Sequence, residues 1–431
     1  MPASKLFTLP IDLPKREAEI MKNTSNHSRS CINNSAHPGD HATKKIASLL
    51  AFICLLLMHV MAHAIDLSDD GSFTASGFYS LTGAEVEGGS AQGSSAPWIY
   101  QQWHCPCSIQ NWEYVGVYEK DQGFQINQES LVGLQLRKEF TPTFSVTGQF
   151  VMRAQNPNNG SSPSVDWLYA AWSPSADSPI TIEAGRLRIP LYYYSDYLYI
   201  GYSYPWVRPP PDVYGWPIYS YDGANISYHT QIGKSAWTMN ASAWTGGYKQ
   251  TYDAYDTLIY YTTPTTESWE KMLGSYVSVT NGIVDVRAMV MKYRDNTEVM
   301  TQPITNVVTN QFTRIEGLSA NVDYDNWVVR GEIDRYQQQS TSLGIDNVYK
   351  YNLLGVGYQI GDFLPMITHS QYTTVAEPIE AQSTNSVVVR WDFKANMALK
   401  LQYDDNKDNS QYPYKFFGDS RLLSVALQGT F

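Results

Sequence analysis

The sequence predicts an all-β chain, a transmembrane antiparallel β-barrel of about 16 strands. Three observations carry that prediction. From Gly71 onward, apolar and polar residues alternate with period two in segments of about ten residues, and helical periodicity is almost absent. The connectors between these segments alternate between tight turns and long loops, like the two rims of an outer-membrane barrel. The chain ends LLSVALQGTF, a half-apolar strand terminating on Phe431. A free edge there would invite aggregation, and lipid offers no water to an unpaired strand, so this one is expected to close the sheet on itself by pairing with SFTASGFYSL.

The first 64 residues stand apart. Lys44 and Lys45 precede the apolar run IASLLAFICLLLMHVMAHA, which ends Ala62-His63-Ala64. That basic, apolar, small-x-small order predicts an export signal cut after Ala64. The expected division is therefore 1–64, an N-terminal extension with signal peptide that is removed, and 65–431, the barrel. Removal takes away 7 basic and 4 acidic residues and leaves 23 Lys+Arg against 37 Asp+Glu, net −14, which argues against nucleic acid as a partner. The acid excess fits a preference for cations or a solvated loop surface. Two cysteines remain, in WHCPCSIQNWE. His104, Cys105 and Cys107 lack a fourth ligand, and one intervening proline suits a zinc tetrahedron poorly. A local disulfide or rigid loop corner in an oxidising compartment is expected, with no metal and no cofactor.

Strands are expected at 72–82, 128–139, 143–155, 163–173, 179–188, 221–230, 235–246, 272–280, 283–293, 313–324, 326–338, 349–361, 363–374, 384–394, 396–405 and 420–431. Turn chemistry joins each even strand to the next odd one: FTPT, PSADSP, IGK, NG, DN, GD and KAN. In SVVVRWDFK, Val387, Val389, Trp391 and Phe393 share one face, against Arg390, Asp392 and Lys394. In ANMALKLQYDD, Met397, Leu399, Leu401 and Tyr403 oppose Lys400, Gln402 and Asp404. Charges in mid-strand are costly against lipid, so Arg287, Arg330, Glu332, Arg390 and Lys400 are expected to point into the lumen.

In its strand rhythm and its terminal Phe431, the chain resembles the Gram-negative porin superfamily over most of 65–431. The resemblance implies an outer-membrane location, a homotrimer, and a third extracellular loop folded inward to narrow the channel. It nominates IPLYYYSDYLYIGYSYPWVRPPPDVYGWPIYS, where Pro205, Pro209, Pro210, Pro211 and Pro217 restrict the backbone and the aromatics supply bulk for packing. The candidate constriction charges are Asp196, Arg208 and Asp212 in the loop, Arg186 and Arg188 before it, and the five inward residues of the strands. They could set ion preference across a narrow neck, or Arg208 and the two aspartates could pair to hold the loop. Arg186 shares the parity of the lipid-facing Ile182 and Ala184, so a bulge near Gly185 or burial at a subunit interface is expected. Tyr192, Tyr194, Tyr197 and Trp206 are candidates for an aromatic track under sugar rings, or are packing residues.

The expected function is passive: a water-filled channel for small hydrophilic solutes or ions, in contact with outer-membrane lipid. A sugar- or anion-selective channel and a closed-barrel adhesin or receptor are the alternatives. An enzyme is not expected. His104, His229 and His369 adjoin no nucleophile motif, and neither G-x-S-x-G nor H-E-x-x-H occurs.

Overall fold

The computed structural model describes residues 65–90, 105–111, 116–154, 163–215, 218–250, 265–299, 306–340, 345–375, 379–411 and 418–431. The export signal expected within 1–64 lies outside the described residues, as does His104. Sixteen strands form the barrel: β1 (Phe73–Ser90), β2 (Leu131–Thr141), β3 (Phe144–Arg153), β4 (Ser164–Trp172), β5 (Ile180–Arg188), β6 (Ser220–Gln231), β7 (Thr238–Gln250), β8 (Thr265–Thr280), β9 (Val284–Val299), β10 (Asn306–Tyr324), β11 (Trp327–Ser340), β12 (Ile345–Tyr358), β13 (Phe363–Thr374), β14 (Ala381–Lys394), β15 (Met397–Asp408) and β16 (Asp419–Thr430). Each pairs antiparallel with its sequence neighbours, and β16 pairs with β1, Leu427 opposite Leu81 and Thr430 opposite Phe78. The sheet is closed. Each expected strand corresponds to one of these sixteen, although many run further at their extracellular ends.

Two residues seal the seam. Phe431 N donates to Gly77 O at 2.9 Å, and Gly77 N donates to Phe431 O at 2.8 Å. A Cβ on Gly77 would lie 2.3 Å from Phe431 Cζ, so the ring occupies space that only glycine leaves open. Gly77→Leu is expected to cut the yield of assembled barrel several-fold, read as loss of the heat-modifiable band in detergent gels. Undiminished yield would show that the seam tolerates the displacement.

The alternation is inverted relative to a soluble protein. Ile333 is 58% exposed, while its neighbours Glu332 and Asp334 are only 5% and 6% exposed. Leu318, Leu354, Ile367, Val387 and Leu401 stand outward in the same way. An outer surface of large aliphatics around buried charge is stable against hydrocarbon and unfavourable in water. Aromatics gather at the short-turn rim: Phe140 near Phe144 (5.8 Å), Trp327 near Tyr358 (5.0 Å), and Phe363 stacked on Trp391 (5.6 Å). That girdle marks one membrane–water interface.

The lumen holds the apolar core. Ile189, Leu191, Tyr192, Tyr194, Trp206, Val213 and Tyr214 of the third loop pack against Trp244, Trp269, Met289, Met291, Ile315, Leu353 and Met366 of the wall. The first loop also turns inward. Its hairpin, Cys107–Asn111 paired with Gly116–Glu119, seats Tyr118 against Ala84, Val86 and Leu422. Cys105 and Cys107 are joined by a disulfide, in keeping with the expected loop corner.

Candidate functional site

The third loop, between β5 and β6, crosses the lumen and is fastened to the far wall by main-chain contacts. Lys400 Nζ, on β15 and fully buried, donates to the carbonyls of Gly201, Tyr204 and Trp206 at 2.6, 2.6 and 2.7 Å. Arg390, on β14, donates to the carbonyls of Tyr202 and Tyr204 at 2.9 and 3.0 Å and pairs with Asp392. Gln402 Oε1 accepts from Val207 N, and Gln428 Nε2 donates to Val207 O. Irregular backbone at membrane depth needs such partners, because no lipid group can supply them. Each charged hydrogen bond of this kind contributes about 1.5–3 kcal/mol net.

Side chains lock the rest of the loop. Arg208 forms a fully enclosed cluster with Glu129 (2.5 Å), Asp404 (3.5 Å) and Ser424 (3.1 Å), while Tyr118 OH donates to Glu129 at 2.9 Å. First loop, third loop and wall therefore meet at one guanidinium. Asp212 accepts from Ser370 at 2.7 Å. Burial pushes its carboxyl up to about 6, against the lowering effect of its hydrogen bonds. Glu332, on β11, accepts from Tyr193 N at 3.0 Å and from Tyr214 OH. Arg188 pairs with Asp166 at 2.9 Å and lies 4.2 Å from the Tyr199 ring centre, fixing the loop's first residues.

The charges that reach open lumen are fewer. Arg287, on β9, meets Asp196 of the loop at 3.2 Å, donates to Pro190 O and covers the Tyr276 ring at 3.9 Å. Its side chain is only 8% exposed, whereas that of Asp196 is 37% exposed. Arg330 pairs with the more exposed Asp323 at 2.7 Å nearer the short-turn rim.

Nine of the ten candidate charges thus face the lumen or the loop. Arg186 does not join them. It forms a two-point pair with Asp222 of β6 at 2.8 and 3.0 Å, directly opposite it in register, and its guanidinium lies 5.2 Å from the Tyr248 ring centre. Gly185 has a left-handed φ of 136°, yet the ladder passes through it without a shift, so the bulge expected there is absent. Tyr192, Tyr194 and Trp206 are covered, and Tyr194 meets Tyr197, Tyr204, Trp206 and Tyr214 edge to face. As placed, these rings brace one another and leave no row of free faces.

Glu129 and Asp404 of the Arg208 cluster, and Asp166, the partner of Arg188, are not among the sequence candidates. Asp404 had a signal, since it shares the Lys400 face, whereas Glu129 lies just before β2 and had none.

A closed barrel of sixteen antiparallel strands, apolar outside, with a long connection pinned across its lumen, defines a porin-like outer-membrane barrel. Known structures agree in fold. The chain superimposes on outer-membrane expressed OmpT of Vibrio cholerae with a TM-score of 0.53 at 9% identity, covering 85% of this chain and 100% of that one. The anion-selective porin from Comamonas acidovorans gives 0.50 at 12% identity, covering 84% and 99%. The Salmonella typhi OmpF complex with daunomycin gives 0.50 at 10%, covering 86% and 100%. No family model matches the sequence, and no curated protein matches it.

Proposed function

We propose that the chain is a porin-type channel for passive diffusion of small hydrophilic solutes or ions across the outer membrane, and that it performs no reaction. The observation that carries this reading is the third loop, fastened across the lumen by Lys400, Arg390 and Arg208 so that it sets the bore. The described histidines, His229 and His369, lie exposed beside Asn240 and Asn385, a placement that suits surface residues.

Selectivity follows from which charges meet water. Asp196 and Asp323 are the more exposed members of their pairs and Arg287 and Arg330 the more covered, which favours cations in the passage. Planar-bilayer recording in a salt gradient tests both parts. The expected result is discrete conductance steps with a reversal potential on the cation side, shifted toward zero by Asp196→Asn. No steps from assembled barrel would overturn the channel, and a reversal potential on the anion side would overturn the preference.

Three copies are proposed to meet on the wall of β4–β6. Ala170, Ala184 and Ala224 face one another in register there, beside the Arg186–Asp222 pair, giving a low surface with its own neutralised charge. Export through the leader ending at Ala64 completes the reading.

A further inference from the structure

The outer wall of β9–β12 carries a row of cations at the long-loop end of its apolar band. Lys292 of β9 lies opposite Arg314 of β10, and Arg335 of β11 lies opposite Lys350 of β12. These four share the parity of the outward Val290, Leu318, Ile333 and Leu354, so they leave the barrel on its lipid side. Arg294, two residues beyond Lys292, extends the row and lies 5.3 Å from the Phe312 ring centre. Such clustering runs against a composition in which acid outnumbers base by 41 to 30.

Register sets the height of the row. Trp327 and Tyr358, a pair of the aromatic girdle, face each other on β11 and β12, and Arg335 and Lys350 face each other eight residues further along the same two strands. Eight residues are roughly 26 Å of strand, or about 20 Å of height at the usual barrel tilt, which nearly spans an apolar band of about 25 Å. The outward positions between the two pairs are Val329, Gly331 and Ile333 on β11, and Val356, Leu354 and Asn352 on β12. The cations therefore begin where hydrocarbon ends, level with the headgroups of the leaflet at the long-loop end.

Carboxylates on this face do not cancel the row. Glu316 pairs with Arg314 and, at 3.4 Å, with Arg335, yet the two arginine side chains stay 49% and 40% exposed. Glu270 lies opposite Arg294, and Asp346, nearer the loops, accepts from Gln337 and Gln339. Among the described residues, Lys292 and Lys350 are exposed and have no ion-pair partner. A single long cation above hydrocarbon is explained by its head reaching water, whereas a row on four adjacent strands, two of its members in register with two others, presents a layer of positive charge.

We propose that this face binds the phosphate groups of acidic lipid in the leaflet at the long-loop end. Opposed side chains on neighbouring strands start about 5 Å apart, so Lys292 and Arg314 flank one phosphate, and Arg335 and Lys350 flank a second. The guanidinium of each pair offers a fork to two phosphate oxygens, and the ammonium adds charge. The acyl chains of the same lipid lie along Leu318, Ile333 and Leu354 below, which a free phosphate cannot use.

The test uses the full barrel in non-ionic detergent, titrated with phosphatidic acid or with phosphatidylcholine of the same acyl chains and read by native mass spectrometry. Phosphatidic acid is expected to be retained at a concentration at least about tenfold lower than phosphatidylcholine. Lys292→Gln, Arg314→Gln and Lys350→Gln combined should erase that preference while heat-modifiable migration is retained, whereas Lys138→Gln, at the short-turn end, should leave it intact. If the triple variant fails to assemble, Lys292→Gln with Lys350→Gln decides. Excess inorganic phosphate should not displace the lipid. No preference for phosphatidic acid, a preference unchanged in the variants that assemble, or displacement by inorganic phosphate overturns the proposal.

Discussion

Lys400→Met is expected to enlarge the conductance step and to expose the segment around Tyr204 to added protease. The substitution keeps the length of the stem and removes the one ammonium that holds three loop carbonyls. Those carbonyls would be left buried without that donor, at about 1–3 kcal/mol each, and the loop relieves the cost by moving toward water in the lumen. Arg390 still holds Tyr202 and Tyr204 from the neighbouring strand, so the loop should loosen without leaving the barrel. Single-channel recording beside limited proteolysis reads both effects. Unaltered conductance together with unaltered protection would mean that the loop is positioned by packing alone.

Arg208→Leu is expected to lower the temperature at which the barrel loses its compact gel mobility more than any substitution at an exposed charge. The guanidinium neutralises Glu129 and Asp404, both buried, and a buried pair that loses one member is destabilised by about 3–5 kcal/mol. The damage should reach the first loop, because Tyr118 is tied to the same Glu129. Adding Glu129→Gln to Arg208→Leu should recover part of the loss, since it removes one of the two stranded carboxylates. A single variant as stable as the parent, or a double variant no better than the single, would contradict the account.

The fold was legible because a lipid-embedded barrel writes itself in a local, period-two code. Val387, Val389 and Trp391 alternate with Val388, Arg390 and Asp392, and only one assignment of faces keeps the charges from hydrocarbon. The same rule placed Arg287, Glu332, Arg390 and Lys400 inward. Their partners were not legible, since Lys400 answers to carbonyls almost 200 residues away and main-chain acceptors leave no mark in a sequence. Extracellular strand ends were underestimated where bulges break the alternation, as at Lys271 in β8 and Asn310 in β10. Arg186 enters the constriction candidates only through its nearness to the third loop, while its in-register partner Asp222 lies beyond that loop, in β6.

The strands differ greatly in length: β10 has 19 residues and β9 has 16, while β4 and β5 have 9 each. A strand needs only about 9–11 residues to cross the bilayer, so the surplus on one side stands in the external medium as a palisade. At about 3.3 Å per residue, the extra length of β10 over β4 amounts to roughly 30 Å along the strand. The described wall therefore stands taller along β9 and β10 than along β4 and β5. A neighbour abutting the low side would leave the taller wall free to the external medium.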